Sequence, residues 1–173
     1  MRARAFWKTV TVDRSNLLAR FLTLLREHGV RYCLVGGQAV NAYVDPVVSL
    51  DLDIVIGAED LARLEPLLLS QFRVDRFSHS LNVSVEGSDL RIQIQTDPRY
   101  AEFLDHAASR EVLGLELPVA CVDDVLRGKI WAVEDPARRG SKRQKDLADI
   151  ARLLEKFPAL RSQVPASILN HLI

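Results

Sequence analysis

Asp51 and Asp53 stand one residue apart in the run SLDLDIVIG, where Leu50, Leu52, Ile54 and Ile56 alternate with Asp51, Asp53 and Val55. Alternation with a period of two marks a strand, so both carboxylates project from one face. Like charges side by side repel, and each loses hydration on burial, so a packed core gains nothing from the pair. A positive group belongs between them, and carboxylate oxygens suit a hard divalent cation such as magnesium. An acid-x-acid triplet alone is common; its context gives it weight. Val35-Gly36-Gly37 closes an apolar run, a short helical segment follows, and the aspartates open the next strand. That order brings glycine amides and carboxylates toward one sheet edge, an arrangement suited to a metal-bound triphosphate. Gly36 and Gly37 lack the β-carbon that would obstruct a phosphate, although they equally suit a tight strand-to-helix turn.

A second concentration of charge lies at Arg138, Arg139, Lys142, Arg143 and Lys145. Basic groups at a helix start oppose the helix dipole, so an anion nearby, phosphate or RNA, would relieve them; a solvated face is the alternative. Lys142 with Asp146 and Lys145 with Asp149 are spaced for pairing along one helix surface, which is the expectation for Asp149. His28, His79, His106 and His171 show no metal-ligand spacing, and Cys33 and Cys121 read as buried apolar strand positions. Trp7 and Trp131 read as packing residues.

The elements that must position these groups follow from periodicity. SNLLARFLTLLREHGV predicts a helix capped by Ser15 or Asn16, and RYCLV a buried strand. AEDLARLEPLLLSQF predicts a helix with a kink or boundary at Pro66. QFRVDRF, LNVSVEG and DLRIQIQ predict strands, the last two joined through EGSD as a hairpin. RYAEFLDHAA reads as helical, EVLGLELPVACV as extended, and VDDVLRGKIWAVE as a helix capped by Asp123 or Asp124. SKRQKDLADIARLLEKF is a helix with a serine cap and Leu147, Ile150, Leu153 and Leu154 on one face; PASILNHLI adds a last short one. The pattern implies an α/β (α+β) fold: a small mixed β-sheet flanked by helices, with a helical C-terminal segment.

The chain has 173 residues, 48% apolar and 27% charged, enough for one domain with a core. Acidic and basic residues balance at 23 each, so no overall field draws the protein to DNA or an anionic membrane. No apolar run reaches bilayer length and no secretory leader is evident, which predicts a cytoplasmic protein without a membrane partner.

Val35-Gly36-Gly37 followed after thirteen residues by Asp51-Leu52-Asp53-Ile54 resembles the signature of the DNA polymerase β-type nucleotidyltransferase superfamily. The stretch Leu126 to Ile150, with Lys129, DPARR and KRQKDLADI, resembles the C-terminal part of AbiEii-like bacterial nucleotidyltransferases, which include toxins of toxin–antitoxin systems. The resemblance implies a nucleotidyltransferase fold over residues 1–173, with a core at 14–96 and a mostly helical part at 97–173 completing the site. It implies Asp51 and Asp53 as metal ligands and catalytic residues for magnesium, or manganese in its place, and transfer of a nucleotidyl group from an NTP to an RNA or protein hydroxyl. Gly36, Gly37, Lys129 and Lys145 would bind nucleotide. Asp146 would orient a lysine or act as base. A cognate antitoxin is an implied partner. The sequence departs from the pattern at Gln93, which stands where many members carry a third acidic residue, and glutamine accepts no proton near neutral pH. Asp89 and Asp97 flank that strand without aligning with Gln93. A nucleotide- or partner-binding module lacking catalysis is therefore the alternative.

Overall fold

The computed structural model describes residues 16–172, so the Ser15 cap and Trp7 lie outside the described residues. Apolar alternation builds seven strands into one mixed sheet: β1 (Tyr32–Val35), β2 (Asp51–Ile56), β3 (Arg73–Arg76), β4 (Ser80–Ser84), β5 (Arg91–Gln95), β6 (Ala108–Val112) and β7 (Leu115–Val119). Their spatial order is β3-β4-β5-β2-β1-β7-β6. β2 lies between antiparallel β1 and parallel β5, with Asp53 opposite Val35 on one side and Gln93 on the other. Leu34, Leu52, Ile54, Leu81, Ile92 and Ile94 are fully buried, so the registers are held by apolar side chains that would be exposed by a one-residue slip.

Helices α1 (Leu17–Glu27), α2 (Gly36–Asn41), α3 (Ala58–Gln71), α4 (Val122–Glu134), α5 (Gly140–Lys156) and α6 (Ala166–Leu169) accompany the sheet, with 3-10 segments at Pro98–His106 and Pro158–Gln163. α4 and α5 pack on each other and on α2. Leu147, Ile150, Leu153 and Leu154 all face inward from α5, as their spacing requires. This is the α/β architecture expected from the sequence, with the helical C-terminal segment against the glycine turn.

Local details differ from the sequence reading, each for a physical reason. EVLGLELPVACV is not one extended stretch but the hairpin β6–β7, turned by Leu113 at φ 55° and Gly114 at φ 75°. Two successive positive φ values suit the tight hairpin turns that follow the sheet twist, and a leucine there gives no turn signal. Cys121 lies beyond β7 at the cap position of α4, with Asp123 and Asp124 in the first turn, where their charge suits the dipole. α5 begins at Gly140 with Arg139 at the cap position, so Ser141 sits inside the helix; Asn16 makes no side-chain cap bond to α1. Pro66 lies within α3 and does not end it. RYAEFLDHAA lies in the 3-10 segment, which Asp97 caps by accepting from the Arg99 amide.

Candidate functional site

Gly36 makes the first turn after β1 possible. Its φ is +68°, and a β-carbon there would lie 2.1 Å from Asp53 Oδ2. Glycine is therefore required by the neighbouring carboxylate as well as by the backbone. The obstruction that the structure shows relieved at Gly36 is to the Asp53 carboxylate. Gly37 differs: a β-carbon there would make ordinary contacts at 3.7–3.9 Å with Ser49 Oγ, Lys145 Nζ and Asp149 Oδ2, so the position is bordered by a hydroxyl, an ammonium and a carboxylate without strain. The loop between α2 and β2 is tied down by Gln38, which donates to the Ser49 carbonyl at 3.1 Å, and by Asn41, which exchanges bonds with Val47.

Asp51 and Asp53 share the strand face as predicted, but their surroundings are unequal. Asp51 accepts from Arg91 Nε and Lys142 Nζ, each at 3.1 Å. Burial pushes its carboxyl upward, and the Lys142 and Arg91 charges outweigh that and hold it below the ordinary range. Asp53 Oδ1 is shut off from solvent with no hydrogen-bond partner. Burial raises its pKa to about 6, Lys129 opposes the rise and Asp51 adds to it. A buried carboxylate oxygen without a donor, beside a second carboxylate, has the hard-oxygen donor set of a magnesium site. The two aspartates fit that ion.

The other pair, Asp146 and Asp149, is buried as well, at 1% and 2% exposure. Lys129 inserts between them, its Nζ 2.9 Å from Asp146 and 2.8 Å from Asp149. Arg138 closes on Asp146 at 2.8 Å and Arg152 on Asp149 at 2.7 Å, so charges alternate from Arg138 through Lys129 to Arg152. Burial would depress the Lys129 ammonium, but Asp149 and Asp146 reverse the effect and raise its pKa. Asp149 is thus not a surface partner of Lys145. Lys142 and Lys145 bond to Asp51 and to Ser49 Oγ, the latter at 3.4 Å, rather than to residues one turn along their own helix. Asp146, held by Lys129 on one oxygen and Arg138 on the other, fixes the position of the Lys129 ammonium.

These groups line a cleft of about 670 Å³ that holds Gly36, Gly37, Asp51, Asp53, Lys129, Lys145 and Asp146 together. Its floor crosses β2, β5 and β4, where Asp53, Gln93 and Asn82 stand in one row. Its far wall is Tyr100 and Trp131, an edge-on aromatic pair with Phe103 stacked behind and Arg99 over the indole. Asp97 lines the cleft, bound to Arg99, and does not stand beside Gln93. Arg91, Arg138, Lys142 and Ser49 belong to the site although the sequence reading assigned them no place in it. Arg138 and Lys142 were visible as part of the basic run; Arg91 becomes visible only through its register opposite Asp51.

No family profile matches the chain, and no curated protein is similar to it in sequence. Its fold is similar to solved structures of nucleotidyltransferases. The antibiotic-resistance factor ANT(2'')-Ia superposes with a TM-score of 0.57 at 15% identity, over 90% of this chain and 94% of that one. The lincosamide antibiotic adenylyltransferase LnuA, solved with lincomycin, gives 0.52 at 14% identity over 83% and 99%. An antigenic nucleotidyltransferase-like protein from Paracoccidioides brasiliensis gives 0.52 at 17% identity over 89% and 76%. The fold is that of the nucleotidyltransferases. Among the described residues, no helix is long and apolar enough to cross a membrane.

Proposed function

We propose that the chain is a nucleotidyltransferase that binds an NTP with magnesium, or manganese in its place, and moves the nucleotidyl group to a hydroxyl acceptor. One observation carries the reading: Asp53 Oδ1 is buried without a partner beside Asp51, in a cleft otherwise rich in cations. A bound magnesium ion would neutralise triphosphate charge and polarise the phosphorus under attack. Asp51 and Asp53 would hold it. Lys145, Ser49 and the Gly36-Gly37 turn would receive phosphate oxygens, and Lys142 would exchange its bond to Asp51 for the triphosphate. Lys129 would lend its charge from a position fixed by Asp146 and Asp149.

The acceptor side favours a neutral or anionic molecule. Basic side chains outnumber acidic ones along the cleft even though Arg91, Arg99, Arg138 and Lys142 are paired with its aspartates, which supports an anionic acceptor such as RNA over a polycation such as the adenylyl-tobramycin bound to ANT(2'')-Ia. The resemblance to AbiEii-like proteins adds a toxin role with a cognate antitoxin, supported by the Lys129–Asp146 pair and tested by growth arrest on expression and rescue by the adjacent gene. The helical part at 97–173 would complete one domain with the 14–96 core, since α4 and α5 supply Lys129, Lys142 and Lys145.

The test is to incubate the protein with each labelled NTP, magnesium and cell RNA or lysate. Label should pass to acceptor and vanish in Asp51→Asn and Asp53→Asn; transfer unchanged in both variants would overturn the reading. Gln93 opposite Asp53 favours a second reading, a nucleotide-binding module without turnover. That reading expects NTP-dependent stabilisation without label transfer, and activity gained in Gln93→Asp.

A further inference from the structure

His106, Cys121 and Asp124 lie where the Pro98–His106 segment ends against the start of α4, away from Asp51 and Asp53. Each offers one ligand atom, and the three atoms lie within 4.8 Å of one another. They come from two separate segments, so the grouping is tertiary and no sequence spacing announces it. Asp124 is 1% exposed, whereas the His106 side chain is 53% exposed. Cys121 is a free, half-buried thiol. A deeply buried carboxylate needs compensation. Here it has His106 Nδ1 at 2.9 Å, a partner charged only when protonated, the half-exposed Arg127 at 3.6 Å, the Cys121 thiol, and the helix N-terminus in whose first turn it lies.

The donor set decides which ion would fit. Thiolate, imidazole and carboxylate together match zinc, with bond lengths of about 2.0–2.3 Å that draw tetrahedral ligand atoms to within about 4 Å of one another. Magnesium takes all-oxygen ligands and would not select this group. We propose that His106, Cys121 and Asp124 form a binding site for a zinc-class divalent cation, with one coordination position left to water. Coordination would replace the His106–Asp124 hydrogen bond and release the Cys121 thiol proton. The bound ion ties the end of the segment carrying Tyr100 and Phe103 to the start of the helix carrying Lys129 and Trp131, so it fastens two walls of the cleft from outside.

The experiment uses the full chain, stripped with chelator, and needs no nucleotide. Cobalt(II) titration should give a thiolate-to-cobalt charge-transfer band that saturates at one equivalent of the thiolate-bound ion, and zinc should abolish that band while magnesium leaves it unchanged. Cys121→Ser should abolish the band and His106→Ala should weaken binding, with circular dichroism confirming that each variant is folded. Cys33→Ala is the control: that thiol is fully buried, pushed up to about 12 chiefly by burial, and its loss should leave the band unchanged. Absence of saturable cobalt or zinc binding would overturn the site. So would binding that survives both Cys121→Ser and His106→Ala, or that disappears in Asp53→Asn instead. Asp51→Asn and Asp53→Asn, which disable the proposed transfer, should keep the cobalt signal, so the two proposals fail separately.

Discussion

Two pairs of carboxylates meet around Lys129, and they are finished in opposite ways. Asp146 and Asp149 have a cation for every charge: Lys129 shared between them, Arg138 on one and Arg152 on the other. On β2 the two members differ: Asp51 is paired with Arg91 and Lys142, whereas its neighbour on the same strand face, Asp53, has Oδ1 with neither a hydrogen bond nor an ion pair and a pKa raised to about 6. Asp149 Oδ2, which also lacks a well-aligned hydrogen bond, still has the Lys129 ammonium at 2.8 Å. Closed charge networks hold elements together; open ones wait for a ligand. The difference teaches that the buried acids of α5 have their charge met within the protein, and that the unmet demand for positive charge is concentrated on Asp53 of β2.

The largest test of the contrast is Lys129→Met. Removing the shared cation leaves two buried carboxylates facing each other, and the expected cost is about 3–5 kcal/mol, read as a fall in the urea midpoint. Loss of less than about 1 kcal/mol would show that the network is not closed by Lys129. Gly36→Ala comes next. The new β-carbon must displace the Asp53 carboxylate and adopt φ near +68°, which should cost about 1–3 kcal/mol and weaken magnesium-dependent NTP binding seen by calorimetry.

Asp53→Asn should act in the reverse direction. Folding raises the Asp53 pKa to about 6 from an ordinary carboxylate value near 3.9, so folding takes up a proton between those limits. Its contribution to stability is full below about pH 4 and is lost as pH rises through about 6. In chelator at pH 8, Asp53→Asn should therefore be more stable than wild type by about 2 kcal/mol, with the gap closing toward pH 4. Asp51 has the opposite sign, its lowered pKa adding stability above the ordinary carboxylate range; because the two carboxylates repel, removing the Asp53 charge also eases Asp51, which adds to the gap at high pH in the same direction. Smallest is Lys142→Ala. Its pair with Asp51 is partly exposed and should cost only about 0.5 kcal/mol, while NTP affinity falls more than stability does.

Legibility followed the range of the interactions. Asp51 and Asp53 on one face, the glycine turn before them and the inward face of α5 rest on periods of two and 3.6, which are local and readable. The hairpin at Leu113-Gly114 was hidden because leucine rarely accepts positive φ, and the surface pairing expected for Asp149 failed because a buried lysine from α4 competes better than an exposed one on its own helix. Gln93 was placed correctly opposite Asp53, since the β4–β5 hairpin fixes its strand.

The sequence by itself determined the alternation that aligns two aspartates, the glycine turn that precedes them, and the apolar faces that build the sheet and its helices. Only the tertiary structure decided which cation meets which carboxylate. Helix periodicity states that a charge points outward from its own axis, but α4, α5 and β2 must pack before Lys129, Lys142 and Arg91 find acids distant in sequence, and it is that packing which leaves Asp53 in want of a partner.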